Sequence, residues 1–330
     1  MLKLYPEIEP YDDGMLDVGD GNRLYWVASG NPDGVPAVIL HGGPGSGHSV
    51  RSSRYFDPAA YRIIAFDQRG CGRSTPHASD PDTDLSVNTT AHLLHDLELL
   101  RQHLGVERWL VFGASWGCTL GLAYAVQNRR RVAALVVAGV TTTRRSEIDW
   151  LYRGLAPLFP EQWMHFRKGV PEDQRDGDLV SAYYHLLKNL DPAVRARAAQ
   201  DWHDWEAASI SIDPNTRPSA QWSDPSYRMA RARIVTHYFH HDGWLEDGIL
   251  LKQAHMLNGI PGVMVQGRLD LEAPLVTAWE LSQVWKDGKL VIVDNAGHSP
   301  ADPGMSEAIV AATNDLARKN RADTFASWQL

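Results

Sequence analysis

The segment Gly113-Ala114-Ser115-Trp116-Gly117 sets a nucleophilic hydroxyl between glycines two positions to either side. Before it runs Arg108-Trp109-Leu110-Val111-Phe112, apolar and strand-like, and after it Cys118 to Ala125, apolar and rich in helix formers. A serine on a strand-to-helix turn of this kind is a nucleophile elbow. The turn strains the serine backbone, its neighbours must be small, and the helix N-terminus faces any anion that develops. The chemistry implied is covalent catalysis through Ser115.

A serine hydroxyl needs a base and a group to orient that base, and the elbow predicts the chain order serine, acid, histidine, with both partners ending late strands. Val263-Met264-Val265-Gln266-Gly267-Arg268-Leu269-Asp270 is a strand running into a loop with a carboxylate. Leu290-Val291-Ile292-Val293-Asp294-Asn295-Ala296-Gly297-His298 is a strand running into a loop with an imidazole. His298 would take the Ser115 proton, while Asp270 would fix the imidazole tautomer and stabilise the imidazolium. Its operating pKa is expected near the ordinary histidine value of about 6.5. Asp270 could instead cap a following helix, and Glu272 or Asp294 could supply the acid. Of the 14 histidines, His298 stands out by following the last strand after a small-residue turn. A tetrahedral intermediate also needs backbone N–H donors. Trp116 offers one, and the glycine-rich His41-Gly42-Gly43-Pro44-Gly45, directly after a strand ending at Leu40, offers a second at Gly43.

These groups are useful only if a scaffold brings them together. Short β-branched runs recur at Arg23–Ser29, Ala37–Leu40, Arg62–Phe66, Trp109–Phe112, Val132–Ala138, Gly262–Gln266 and Lys289–Val293. The later ones are almost wholly apolar, as strands covered on both faces should be. Thr89–Leu104 and Leu275–Trp285 carry apolar residues at helical spacing, so the fold class is α/β with a mostly parallel sheet flanked by helices. The alternation stops after Gly139. From 141 to 245 the chain is helix-compatible, rich in Trp, Tyr, His and Arg, and punctuated by Pro157, Pro160, Pro171, Pro192, Pro214, Pro218 and Pro225. The expected organisation is a catalytic domain of residues 1–140 and 246–330 with a helical cap, 141–245, over the strands' carboxyl edge. A separate helical domain is the alternative.

The 330 residues carry a formal charge of −8, with 44% hydrophobic and 22% charged side chains, which argues for a globular protein and against a nucleic-acid partner. The nearest basic run, Arg129-Arg130-Arg131, reads as a complement to a helix dipole. Cys71 and Cys118 give neither a disulfide framework nor metal-ligand spacing, so no metal or cofactor is expected. Met1 to Glu7 contains no apolar leader and no stretch is long and apolar enough for a membrane span, so no membrane partner and a cytoplasmic location are expected.

Taken together, the chain resembles the proline iminopeptidase family, enzymes of the α/β-hydrolase fold with an inserted helical cap. The matching segments are Leu4-Tyr5-Pro6 with Gly14–Val18, His41–Gly45, Asp67-Gln68-Arg69-Gly70-Cys71-Gly72-Arg73-Ser74, Gly113–Gly117, Trp202–Glu206, His237-Tyr238-Phe239, Gly267–Asp270 and Gly297-His298. The resemblance implies a metal-independent serine aminopeptidase that releases an N-terminal residue, typically proline, from small peptides and aminoacyl amides through a Ser/Asp/His triad. It also implies that Glu206 binds the substrate amine and that Phe239 helps to line the pocket. The chain departs from many relatives at Val235, which stands where they place a second amine-binding glutamate. It departs again at Thr141 and Leu151, which stand where they place aromatics around the proline ring. Those departures imply weaker amine binding and a reshaped pocket. They motivate competing readings, a hydrolase of a non-peptide biosynthetic aminoacyl amide or a carboxylesterase. A noncatalytic binding module is opposed by the intact Ser115, Asp270 and His298.

Overall fold

The computed structural model describes residues 3–210 and 220–327. Its centre is an eight-stranded sheet in the order β1-β2-β4-β3-β5-β6-β7-β8. The strands are β1 (Asp12–Asp17), β2 (Arg23–Gly30), β3 (Val35–Leu40), β4 (Tyr61–Phe66), β5 (Trp109–Ala114), β6 (Val132–Ala138), β7 (Gly262–Gly267) and β8 (Gly288–Val293). β2 pairs antiparallel with β1 and β4, and every pairing from β4 through β8 is parallel.

Both faces of the inner parallel strands are covered, and the sequence alternation distributes side chains between two cores. Along β5, Trp109 and Val111 join one apolar cluster while Leu110 and Phe112 join the other. α1 (Val50–Ser53), α2 (Thr90–His103) and α3 (Trp116–Gln127) lie between β3 and β6 in the chain, and α3 packs directly on β5 and β6. Between β6 and β7 the described residues form helices and turns only: α4 (Arg145–Asp149), α5 (Pro160–Lys168), α6 (Leu179–Leu186), α7 (Pro192–Ser209), α8 (Pro225–His240) and the short α9 (Ile249–Lys252). α10 (Leu275–Val284) packs on β7 and β8, and α11 (Met305–Ser327) on β6, β7 and β8. Pro160, Pro192 and Pro225 each open a helix, where the missing N–H costs nothing. Pro214 and Pro218 lie outside the described residues. An aromatic cluster ties α5 to α6 and α7, with Phe166 stacked on Tyr183 at 4.6 Å and on Trp205 at 5.5 Å.

The topology decides where a site can lie. The chain runs from β3 to β4 on one side, then crosses to β5 on the other side of β3, so direction reverses between β3 and β5. Loops leaving their carboxyl ends diverge there and open a crevice. Leu40 is paired with Gly113, which puts His41–Gly45 beside the elbow. The carboxyl ends of β6, β7 and β8 follow in order along the same edge.

Candidate active site

Ser115 has φ 55° and ψ −125°, a left-handed conformation that a side chain adopts only under constraint. Two backbone bonds hold it there. Its N–H donates to Ala138 O at 3.0 Å, and its carbonyl accepts from Cys118 N–H at 2.7 Å. The flanking glycines are required by close approach. A Cβ on Gly113 would stand 2.1 Å from Gly117 O, and one on Gly117 would stand 2.1 Å from Leu40 O. α3 begins at Trp116, so that residue's N–H has no intrahelical acceptor and points out of the helix end.

Asp270 leaves β7 and meets His298 from the loop after β8. His298 Nδ1 lies 3.0 Å from Asp270 Oδ1 and 2.9 Å from Oδ2. Asp270 is 5% exposed and is itself fixed, since Oδ2 accepts from Gln266 Nε2 at 2.9 Å and Oδ1 from Ala273 N–H at 2.8 Å. It caps no helix, because α10 starts later, after Pro274. The alternative acids stand elsewhere. Asp294 pairs with Arg268 at the surface, and Glu272 approaches the opposite ring nitrogen, with Oε2 at 3.3 Å from Nε2. Gly139, at φ 56°, packs against the same imidazole, and a Cβ there would come within 3.0 Å of Cε1. The end of β6 therefore braces both the serine backbone and the histidine ring.

Burial lowers the His298 pKa, but the charges of Asp270 and Glu272 outweigh it and lift the pKa to about 9. That corrects the expected value near 6.5, because a second carboxylate faces the ring. Glu272 is raised above its ordinary value, chiefly by burial.

The glycine loop after β3 is held by a polar relay. His41 Nε2 accepts from Gln68 N–H at 3.0 Å, Gln68 Nε2 donates to His41 O at 3.0 Å, and Gln68 Oε1 accepts the Trp116 indole N–H at 3.0 Å. With Nε2 an acceptor, Nδ1 carries the proton and donates to Gly42 O at 3.0 Å. Burial lowers the His41 pKa to about 4, so it stays neutral and keeps this tautomer. One buried network thus fixes the two segments carrying Gly43 and Trp116. Asp67 anchors the next loop, accepting from His48 N–H at 2.7 Å and Arg73 N–H at 2.8 Å.

Two cavities meet at Ser115. An inner one of about 50 Å³ runs under the inserted helices and is lined by Thr141, Leu151, Tyr152, Glu206, Arg231 and Phe239, among others. An outer one of about 300 Å³ opens past Ser46, Tyr55, Trp222 and Pro300. Gly43, Ser115, Arg231, Glu272 and His298 border both. Ser115, His298, Gly43, Trp116, Glu206, Phe239, Thr141 and Leu151 are therefore gathered around one space. Val235 is not. It is fully buried in the apolar core and is absent from the described residues lining either cavity. Its short side chain ends in the cluster, whereas Arg231, one turn earlier on α8, is long enough to reach the cavity.

Arg231 is what the sequence reading missed. It is 7% exposed, its Nη1 donates to Glu206 Oε2, and its Nε has no partner among the described residues. Glu206 Oε1 accepts from Tyr152 Oη at 2.7 Å and from Trp202 Nε1 at 3.1 Å. The available signal was the four-residue spacing of Arg231 and Val235, which puts both on neighbouring turns of one helix face. A larger cavity of about 640 Å³, between Pro81–Ser86 and α6 and α8, lies away from Ser115.

Residues 36–304 match the family model described as the alpha/beta hydrolase fold. A probable proline iminopeptidase of Streptomyces coelicolor is 55% identical over 326 residues, 98% of this chain and 100% of that protein. The proline iminopeptidase of Xanthomonas citri is 45% identical, over 96% of this chain and 100% of that protein. That of Arabidopsis thaliana is 43% identical, over 95% of this chain and 82% of that protein. Among solved structures, a Mycobacterium smegmatis proline iminopeptidase superposes with TM-score 0.61 at 19% identity, covering 94% of this chain and 100% of that one, a likeness of fold. The chain belongs to the proline iminopeptidase family of α/β-hydrolases.

Proposed function

We propose that this enzyme releases the N-terminal aminoacyl residue from small peptides or aminoacyl amides by way of an acyl-enzyme on Ser115. The observation that carries the reading is the pair of cavities joined at the elbow. The inner one has room for a single small side chain and contains carboxylates, and the outer one is large enough for a leaving group. Residues 141–245 act as the cap, and residues 1–140 and 246–330 as the catalytic domain. The relatives' names favour this over the esterase and biosynthetic-amide alternatives.

The steps follow from the placement of groups. Ser115 Oγ attacks the scissile carbonyl while His298 Nε2 accepts its proton, and Asp270 holds Nδ1–H and stabilises the imidazolium. The N–H groups of Gly43 and Trp116 donate to the oxyanion, aided by the positive end of α3. The imidazolium then protonates the leaving amine. Water activated by His298 hydrolyses the ester, freeing the amino acid and Ser115. A cytoplasmic location fits the two cysteines, both free and buried.

The test is a kinetic panel of Pro-, Ala- and Leu-naphthylamides with their N-acetylated counterparts. Free-amine substrates should turn over and the acetylated ones should fail. Equal rates on both series would refute aminopeptidase action, and the order of Pro, Ala and Leu would measure what Thr141 and Leu151 select.

A further inference from the structure

We propose that Glu272, and not Glu206, is the specificity-determining residue that holds the substrate's N-terminal ammonium. The inference rests on the aminopeptidase reading and names the group that performs its selection.

Covalent geometry restricts where the ammonium can be. It is one Cα removed from the carbonyl under attack, a span of about 2.5 Å through bonds of about 1.5 Å. Its counter-ion must therefore stand near Ser115, where the two cavities meet. Glu206 and Glu272 are both in the inner cavity, but of the two only Glu272 also borders the outer one, beside Ser115 and His298.

Glu206 is already committed. Tyr152 and Trp202 donate to Oε1, and Arg231 donates to Oε2. Both oxygens have partners and the charge is cancelled. A substrate cation approaching it would meet the Arg231 guanidinium, which is buried and borders the same space. Glu272 is held more loosely. Oε1 accepts from Ser209 Oγ at 3.2 Å, and Oε2 faces His298 Nε2 at 3.3 Å. The charged groups around it are Asp270 and His298 from the loops after β7 and β8, and Arg231 from α8, with Ser209 reaching in from α7.

The contact with His298 gives the assignment a second consequence. An Nε2 that faces a carboxylate shares a proton with it and is a weaker acceptor for the proton of Ser115. An ammonium seated on Glu272 draws that carboxylate away and leaves Nε2 as a bare acceptor. A free-amine substrate thus frees the base that cleaves it, and an N-acylated one does not.

The experiment compares wild type with Glu272→Gln and Glu272→Asp on alanine naphthylamide and on p-nitrophenyl acetate, an ester with no amine. Glu272→Gln should raise KM for the naphthylamide about ten- to hundredfold, the loss expected for one charge-assisted contact. On the ester, which has no ammonium to draw Glu272 away, it should raise kcat/KM above wild type, because His298 Nε2 then faces no carboxylate. Glu272→Asp, which keeps the charge, should recover part of the KM loss. An unchanged KM in Glu272→Gln overturns the proposal, and so does an equal fall on both substrates, which would assign Glu272 to His298 alone. Should Glu272→Gln not fold, Glu272→Asp decides alone: a KM shift confined to the naphthylamide supports the assignment, and its absence overturns it. Wild type that cleaves the ester but not the naphthylamide overturns the aminopeptidase reading itself, and the ammonium assignment with it.

Discussion

Replacing Gly117 by alanine should damage the enzyme, while the same change one turn further along the same helix should not. A Cβ at 117 would sit 2.1 Å from Leu40 O, 2.9 Å from Leu40 C and 3.1 Å from His41 O, all backbone atoms that cannot rotate away. An ordinary carbon–oxygen contact is about 3.3 Å, so α3 would have to withdraw from the end of β3 by roughly 1 Å. Leu40 is paired to β5 and His41 is held by Gln68, so neither can yield alone. Overpacking typically costs about 1–3 kcal/mol, and backbone against backbone puts this case at or beyond about 3 kcal/mol. At Gly121 a Cβ would meet only Val111 Cγ1, Leu40 Cδ1 and Leu135 Cδ1 at 3.4, 3.5 and 3.6 Å. Those are normal contacts, and alanine gains up to about 1 kcal/mol of helix propensity there. Thermal unfolding should show Gly117→Ala lowered by about 6–12 °C, taking 2–4 °C per kcal/mol, and Gly121→Ala equal to wild type or a few degrees higher. Fluorophosphonate labelling should slow in the first and stay unchanged in the second. Equal Tm values for the two variants would refute the claim that close backbone packing positions the elbow.

Asp270→Asn should keep the fold and lose about 10³–10⁴-fold in kcat, because the amide no longer fixes the Nδ1–H tautomer; a loss below tenfold in steady-state kinetics would remove Asp270 from the mechanism. His298 must be neutral to act as base. With its pKa raised to about 9, kcat/KM should climb with pH through an alkaline limb, and Glu272→Gln should move that limb to lower pH by removing one of the two anions that raise it. The linked stability term has the opposite sense: it is fully present below the unfolded value of about 6.5 and is lost as pH rises through about 9. A pH–rate limb at or below 6.5 in wild type would contradict the geometry. Arg231→Met should cost about 3–5 kcal/mol in denaturant unfolding, since it leaves the Glu206 charge buried with only Tyr152 and Trp202, and adding Glu206→Gln should restore most of that; simple additivity of the two changes would refute the coupling.

The parallel strands were legible because each is short and largely apolar, and the inner ones are covered on both faces. β6 spans Val132–Ala138 as read, and β3 and β5 each gain only two residues at one end. β1 was not legible. Its sequence Asp-Asp-Gly-Met-Leu-Asp has little strand propensity, and it forms at the sheet edge by pairing with β2. The chain order of Ser115, Asp270 and His298 could be read because strand ends carry the groups. What could not be read was the charge of the pocket. Arg228, Arg231 and Arg233 look alike in sequence, yet Arg231 turns inward to Glu206 while Arg233 donates to Ala78 O on the loop that follows β4. Glu272 appeared only as a spare acid, since which imidazole nitrogen it faces depends on how the β7 and β8 loops converge. The expected pKa near 6.5 failed for the same reason.

The central claim is that Ser115 is a nucleophile activated by His298. Fluorophosphonate treatment followed by peptide mass mapping tests it directly. A single adduct on the peptide carrying Ser115, absent in Ser115→Ala and formed at least about a hundredfold more slowly in His298→Ala, is the result expected. An unlabelled Ser115 in folded protein, or labelling that is indifferent to His298, would contradict it.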